Sequence, residues 1–261
     1  MSLLLAAMLA TSLVGAGVNL GPAGLASFAN YSLIQDPEKQ PENLGFGGKF
    51  TLGYLATNSM TSSTSFNAEV LLGYNTLLWQ HRLTLQAVYS SVDSTTVAEQ
   101  YFGAWQSNRL LSERSYVFGY AGYIHDRFSG YVYQGSAVVG YGIKALETKS
   151  QELKFELGAG WTRAKENGGS TLSSAAARLR EIYSWSFGES SSLAQSLTLE
   201  KSSFNLYSRF DTKVTAQLIG NLAFVVAYTI QHNSHVTLGN PHTTSITSIS
   251  LQYVFGGIFT E

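Results

Sequence analysis

Three histidines stand in HNSHVTLGNPHT, at His232, His235 and His242. Imidazoles gathered in one loop are zinc or copper chemistry. Spacings of three and seven residues match no standard metal site, and Pro241 lies between the last two. The stretch therefore reads as a loop, with no metal assigned. A second cluster, His125-Asp126-Arg127 followed by Ser129, suggests two chemistries. Arg127 could hold a lipopolysaccharide phosphate through its forked donors. Ser129 and His125 could form a nucleophile and base for lipid hydrolysis. A triad also needs an orienting carboxylate or amide and an oxyanion hole, and an Asp adjacent in the chain to its His rarely takes that geometry. The plain reading is a loop tip with a weak exposed ion pair. Gly140-Tyr141-Gly142 and Gly158-Ala159-Gly160 lack the strand–turn–helix setting of a nucleotide loop. Cysteine is absent, which removes disulfides, zinc thiolates and thiol nucleophiles. A net charge of −1 without a basic patch argues against nucleic acid. The chain reads as non-enzymatic, with no cofactor, and lipid hydrolase stands as the alternative.

The elements that carry these residues alternate. In LKFELGAGWTR (153–163), Leu153, Phe155, Leu157, Ala159 and Trp161 share one parity, and Lys154, Glu156, Gly158, Gly160 and Thr162 the other. Period two is the mark of a strand. The same pattern predicts strands over 46–57, 63–75, 78–91, 97–109, 114–125, 130–145, 151–163, 172–186, 192–201, 204–218, 221–232 and 244–255. Separators rich in Gly, Ser, Asn, Asp and Thr divide them, as turns require. These strands are far longer than the ~5–6 residues usual in soluble sheets and suit a tilted membrane crossing of about 9–11 residues. TLSSAAARLREIYSW (171–185) also reads as a helix, with good formers and Ser173 as a cap. Leu179, Tyr183 and Trp185 share a parity, which favours a strand, although Glu181 then falls on the apolar face.

Alternation does not say which face is outside. Charged residues make only 13% of the chain, about half the roughly 25% of soluble domains. On the apolar parity, Tyr54, Tyr89, Tyr123, Tyr131 and Trp161 gather toward one end of the strands, and Trp79, Trp185, Tyr253 and Phe255 toward the other. Two aromatic girdles flanking an aliphatic band are what two membrane interfaces select. The polar parity then lines a wet lumen with Lys49, Glu69, Arg82, Lys144, Lys154, Glu156, Arg178, Arg180, Arg209, Asp211 and Lys213. Lys154/Glu156 and Arg209/Asp211/Lys213 place opposite charges two residues apart on one wall, and so predict ion pairs along a strand. Gly103, Gly119, Ala121, Gly135, Ala137 and Ala159 form a small-residue wall on the outer parity, a candidate homo-oligomer face because close packing drives association in a bilayer.

The domain reading is a signal peptide at 1–17 lacking a charged n-region, a periplasmic or lumen-plugging segment at 18–45, a transmembrane barrel at 46–255 and a tail at 256–261. The last strand, SISLQYVF (248–255), resembles the assembly signal by which outer-membrane barrels meet their assembly machinery. Within 111–163, Ser112-Glu113-Arg114-Ser115-Tyr116, Asp126-Arg127-Phe128-Ser129-Gly130-Tyr131 and Gly140-Tyr141-Gly142 resemble the uncharacterised bacterial barrel family usually labelled salt-induced outer membrane proteins. YSW at 183–185 and HNSHV at 232–236 also fit, while Tyr120, Gly122 and Val225 depart from it. The resemblance implies an outer-membrane barrel and supplies no mechanism. The expectation is therefore an all-β, antiparallel, up-and-down transmembrane barrel of about twelve strands in a Gram-negative outer membrane, in contact with membrane lipid. It serves either as a small-solute or ion pore or as a structural, membrane-organising protein.

Overall fold

The computed structural model describes residues 44–58, 62–188, 190–256 and 258–259. The expected signal peptide, and all but the end of the segment after it, lie outside these residues. Twelve strands follow in order: β1 (Gly45–Asn58), β2 (Ser62–Asn75), β3 (Trp79–Val92), β4 (Thr95–Leu110), β5 (Ser115–Asp126), β6 (Tyr131–Glu147), β7 (Gln151–Glu166), β8 (Thr171–Ser186), β9 (Ser191–Ser202), β10 (Leu206–Ile219), β11 (Leu222–Asn233) and β12 (Thr243–Gly256). Each pairs antiparallel with its sequence neighbours, and β1 closes on β12, giving an up-and-down barrel without a free edge. No helix occurs among the described residues. The end that carries Gly45 and Gly256 is called lower here.

β8 settles the ambiguous segment. It pairs along its length with β7 and β9. Ladder pairing on both edges and burial of one face outweigh the helix propensity of its alanines. Its pairings contain no bulge, so Glu181 stays on the outer face, in register with Phe155 and Leu197. The short turns supply the backbone conformations that hairpins need. Asp93 and Ser94 both take positive φ (46° and 63°) between β3 and β4, as a primed two-residue turn demands. The Asp93 carboxylate accepts a hydrogen bond from the Ser62 amide at 2.7 Å, tying that turn to β2. One girdle residue departs from the pattern. The register of β6 shifts between Tyr131 and Tyr133. An extra residue in one strand reverses side-chain parity beyond it, and Tyr131 points inward, 1% exposed, instead of joining the upper girdle.

The inner face is packed rather than wet. Tyr116, Phe118 and Tyr120 of β5 lie inside with Phe102, Ala104 and Val138. Their rings cross walls that carry no side chain. A Cβ at Gly142 would overlap the Tyr116 ring, and one at Gly140 would lie 2.7 Å from Phe118 Cε1. These glycines are the space that the β5 aromatics fill. Gly142→Val should displace Tyr116 and cost about 1–3 kcal/mol, the usual penalty of overpacking. Gly119 faces open space, and Gly119→Val should leave stability unchanged. Urea midpoints of the two variants, read by heat-modifiable gel mobility, check the contrast.

Candidate functional site

Mid-height, the inward parities bring charged side chains from different strands together. Arg209 of β10 grips Asp211 through Nε (2.9 Å to Oδ2) and Nη2 (2.9 Å to Oδ1). The same carboxylate accepts from Thr229 of β11 at 2.7 Å. Glu156 of β7 accepts from Gln106 of β4 (2.8 Å) and Tyr116 of β5 (2.9 Å), and faces Arg180 of β8 at 3.7 Å. Arg178 of β8 lies 3.8 Å over the Tyr120 ring and 3.8 Å from Glu200. Glu69 accepts from Gln86 at 2.6 Å. Lys144 pairs with Glu147 at 3.0 Å, and Lys154 with Glu152 at 2.8 Å. Arg209 and Asp211 thus pair along one strand, whereas Lys154 and Glu156 choose other partners. Glu156 is 1% exposed, in place of the wet position expected of it. Burial raises the value of a pair and the cost of a lone partner.

One contact spans the lumen and another bridges part of it. Arg209 of β10 sits over the ring of Phe102 of β4, 5.6 Å from its centroid, and these strands are six places apart in a ring of twelve. The Gln106–Glu156 bond skips two strands, a quarter of the ring. Opposite walls therefore touch at mid-height. Above this plug lies a cavity of about 50 Å³, lined by Tyr120, Gln134, Thr162, Arg178, Glu200 and Arg209. That is room for a few water molecules.

The β11–β12 loop, 234–242, reaches across the upper mouth. Tyr131, turned inward by the bulge, donates to the His235 carbonyl at 2.8 Å. The His235 amide donates to Asn205 Oδ1 at 3.2 Å, and Thr237 Oγ1 to the Asn167 carbonyl at 2.8 Å. At the lower mouth the tail returns inside. Ile258 is buried and fills the hollow over Gly47 and Gly73. Phe259 lies with its ring 5.2 Å from both Lys49 Nζ and Arg82 Cζ. Sequence reasoning missed the aromatic plug, the lid and the tail. The first carried a signal, aromatics on the parity that also holds Gly140, Gly142 and Gly158.

The histidine and serine candidates are not brought together. His232 and His242 stack with centroids 6.1 Å apart, while His235 turns toward Glu166 at 3.6 Å. No group of three metal-ligating side chains forms among the described residues. His125 stacks on Tyr101, whereas Ser129 bonds to the Tyr131 backbone. Arg127 pairs with Glu99 at 3.2 Å. A Ser–His contact not foreseen in the sequence does exist on the outer wall, Ser107 Oγ to His81 Nδ1 at 2.9 Å. No carboxylate among the described residues orients that ring, which is stacked between Trp79 and Trp105. Tyr54, Trp79, Tyr89, Tyr123, Trp161, Trp185 and Tyr253 are exposed on the outer face, and Phe255 partly so. Gly103, Gly119, Ala121, Gly135, Ala137 and Ala159 lie on the adjacent strands β4–β7, with Ala121 opposite Ala137.

Residues 50–255 match the family described as "Protein of unknown function, DUF481", and the chain belongs to that family. Nothing in that match speaks of salt induction. The "Uncharacterized protein YdiY" of Escherichia coli (strain K12) is 24% identical over 234 residues, covering 85% of this chain and 88% of that protein. Among solved structures, a NanC porin superposes with a TM-score of 0.51 at 12% identity, over 78% of this chain and 98% of that one. An outer membrane channel from Pseudomonas putida F1 gives 0.50 at 10% identity, over 84% and 98%. These likenesses are of fold: the barrel resembles those of bacterial outer-membrane proteins.

The ion network sets its own test. Asp211→Asn leaves Arg209 charged, buried and stripped of its carboxylate, and should cost about 3–5 kcal/mol. Removing both partners in R209S/D211S should recover much of that loss. A double variant no more stable than the single one, by urea midpoint, would refute the pairing.

Proposed function

We propose that this member of the family is a non-enzymatic outer-membrane protein, a conduit for small polar solutes that is closed at rest. The observation that carries the reading is the contact of Arg209 with Phe102 across the full lumen. Eight strands are just filled by their side chains and sixteen leave a channel. Twelve strands leave room that this chain closes with guanidinium, carboxylate and ring contacts. Such contacts can part without breaking a ladder hydrogen bond, because the walls are held by backbone pairing around the whole ring. The lid rests on a few hydrogen bonds from one loop, as a movable cover does. A second reading, a permanently sealed structural barrel, draws on the close fit of the β5 aromatics over glycine.

Conductance separates the two. In planar bilayers the parent should be nearly silent. A chain with R209S/D211S, residues 236–240 replaced by two glycines, and an end at Gly256 should give unitary steps. Silence from that chain, once shown to be folded by heat-modifiable mobility, leaves the sealed barrel.

The proposed membrane setting rests on the outer face. Val139 stands at the middle of β6 and is 71% exposed there. An arginine at bilayer mid-depth costs a barrel about 2–4 kcal/mol, so Val139→Arg should fail to assemble or melt early in lipid. Equal stability of parent and variant in lipid vesicles would place that face in water.

A further inference from the structure

The cavity above the plug gathers polar groups that the fold leaves partly unserved. Three adjacent strands build its charged wall. Arg178 of β8, Glu200 of β9 and Tyr207 of β10 stand in register, and one inward step along β9 Thr198 stands opposite Arg209. β5 adds Tyr120, whose ring lies 3.8 Å from the Arg178 guanidinium. Gly122 makes room for that phenol, since a Cβ there would overlap the Tyr120 hydroxyl. Thr198 is 3% exposed and lines the cavity, and its Oγ1 has no hydrogen-bond partner among the described residues. A buried hydroxyl left unpaired costs stability, a cost that a bound molecule would remove. Glu200 is in the same position. Arg178 Nη1 stands 3.8 Å from its carboxylate, beyond hydrogen-bond reach, whereas Arg209 grips Asp211 at 2.9 Å.

We propose that this cavity is a binding site for a small zwitterion, an amino acid of glycine size, whose carboxylate meets Arg178 and whose ammonium meets Glu200, with the Thr198 hydroxyl as a third contact. The forked donors of a guanidinium match a carboxylate. An ammonium brings three donors to a side chain that only accepts. Charge decides against a simple ion. Arg178 and Arg209 in the lining are matched by Glu200 and by the Asp211 that Arg209 grips. A lone anion or cation would carry an unmatched charge into a poorly solvated space, which is costly, whereas a zwitterion adds no net charge. Size decides against a long side chain. The volume is about 50 Å³, and at roughly 10–15 Å³ for each water a molecule of glycine bulk fills it by displacing a few waters. The inference names a solute class for the proposed conduit and rests on that reading for its use; binding itself does not require that the lumen conduct.

The test is glycine binding to the purified barrel in detergent, read by saturation-transfer NMR. The parent should give a saturable signal, and so should a chain with residues 236–240 replaced by two glycines, which opens the upper mouth. Arg178→Gln and Glu200→Gln should each abolish it. Thr198→Val keeps the side chain's shape and removes only the unpaired hydroxyl. It should leave the urea midpoint unchanged while weakening glycine about tenfold, the factor corresponding to about 1.4 kcal/mol. Acetate, methylammonium and acetamide should each compete about tenfold less well than glycine. No saturable signal from either the parent or the open-mouthed chain overturns the site. Binding to Thr198→Val equal to that of the parent, or binding retained by either charge variant, also overturns it. Competition by acetate, methylammonium or acetamide equal to that of glycine overturns the zwitterion. Binding reads the cavity alone, so a silent bilayer beside a positive binding result would count against the conduit and not against this site.

Discussion

Everything inside this barrel follows from one constraint: a closed ladder fixes the walls, so the inward parity must satisfy itself within a set diameter. Each strand offers one row of side chains to the lumen, and closure of β1 on β12 leaves those rows no escape. Charges placed there cannot rotate out to solvent. They must find partners, because a lone buried charge costs several kcal/mol more than a paired one. The result is visible at Asp211, which takes Arg209, Thr229 and Ser196 as donors, and at Glu156, which draws on β4, β5 and β8.

The same constraint explains why aromatics and glycines are segregated. Interiors pack near crystal density, so a wall that projects rings must face one that projects nothing. β5 supplies Tyr116, Phe118 and Tyr120, and β6 and β7 answer with Gly140, Gly142 and Gly158. That exchange draws the rings against one side of the barrel. It leaves the polar cavity on the upper side, between the plug and the lid, with Arg178 and Arg209 in its lining.

The alternation of the sequence carried the strand count, the strand positions and the closed antiparallel topology, since period two survives wherever one face is packed and the other is not. Lys154, Glu156, Arg178, Arg180, Arg209, Asp211 and Lys213, the charges of the polar parity, are buried. Pairing was less legible. Opposite charges two residues apart are neighbours on one strand, and Lys154 does pair that way, but with Glu152; Glu156 instead faces Arg180 on the neighbouring strand and takes donors from β4 and β5, strands that a linear reading does not bring near it. Tyr131 was misplaced because a bulge changes parity without a mark in composition. The lid and the tail were invisible for a related reason: the contacts that hold them join residues far apart in the chain, such as Tyr131 with His235 and Phe259 with Lys49.

The three closures differ in chemistry, and that difference has a consequence. The upper lid rests on neutral hydrogen bonds to backbone carbonyls and an amide side chain. The middle plug rests on buried ion pairs and a cation over a ring. The lower contact sets the Phe259 ring near two cations, Lys49 and Arg82. They share no side chain among these contacts, and sites without common partners contribute nearly additively. Closures placed in series along one lumen must all be open at once for a solute to pass, so their opening free energies add and their open fractions multiply. A modest cost at each point is then enough for tight closure overall.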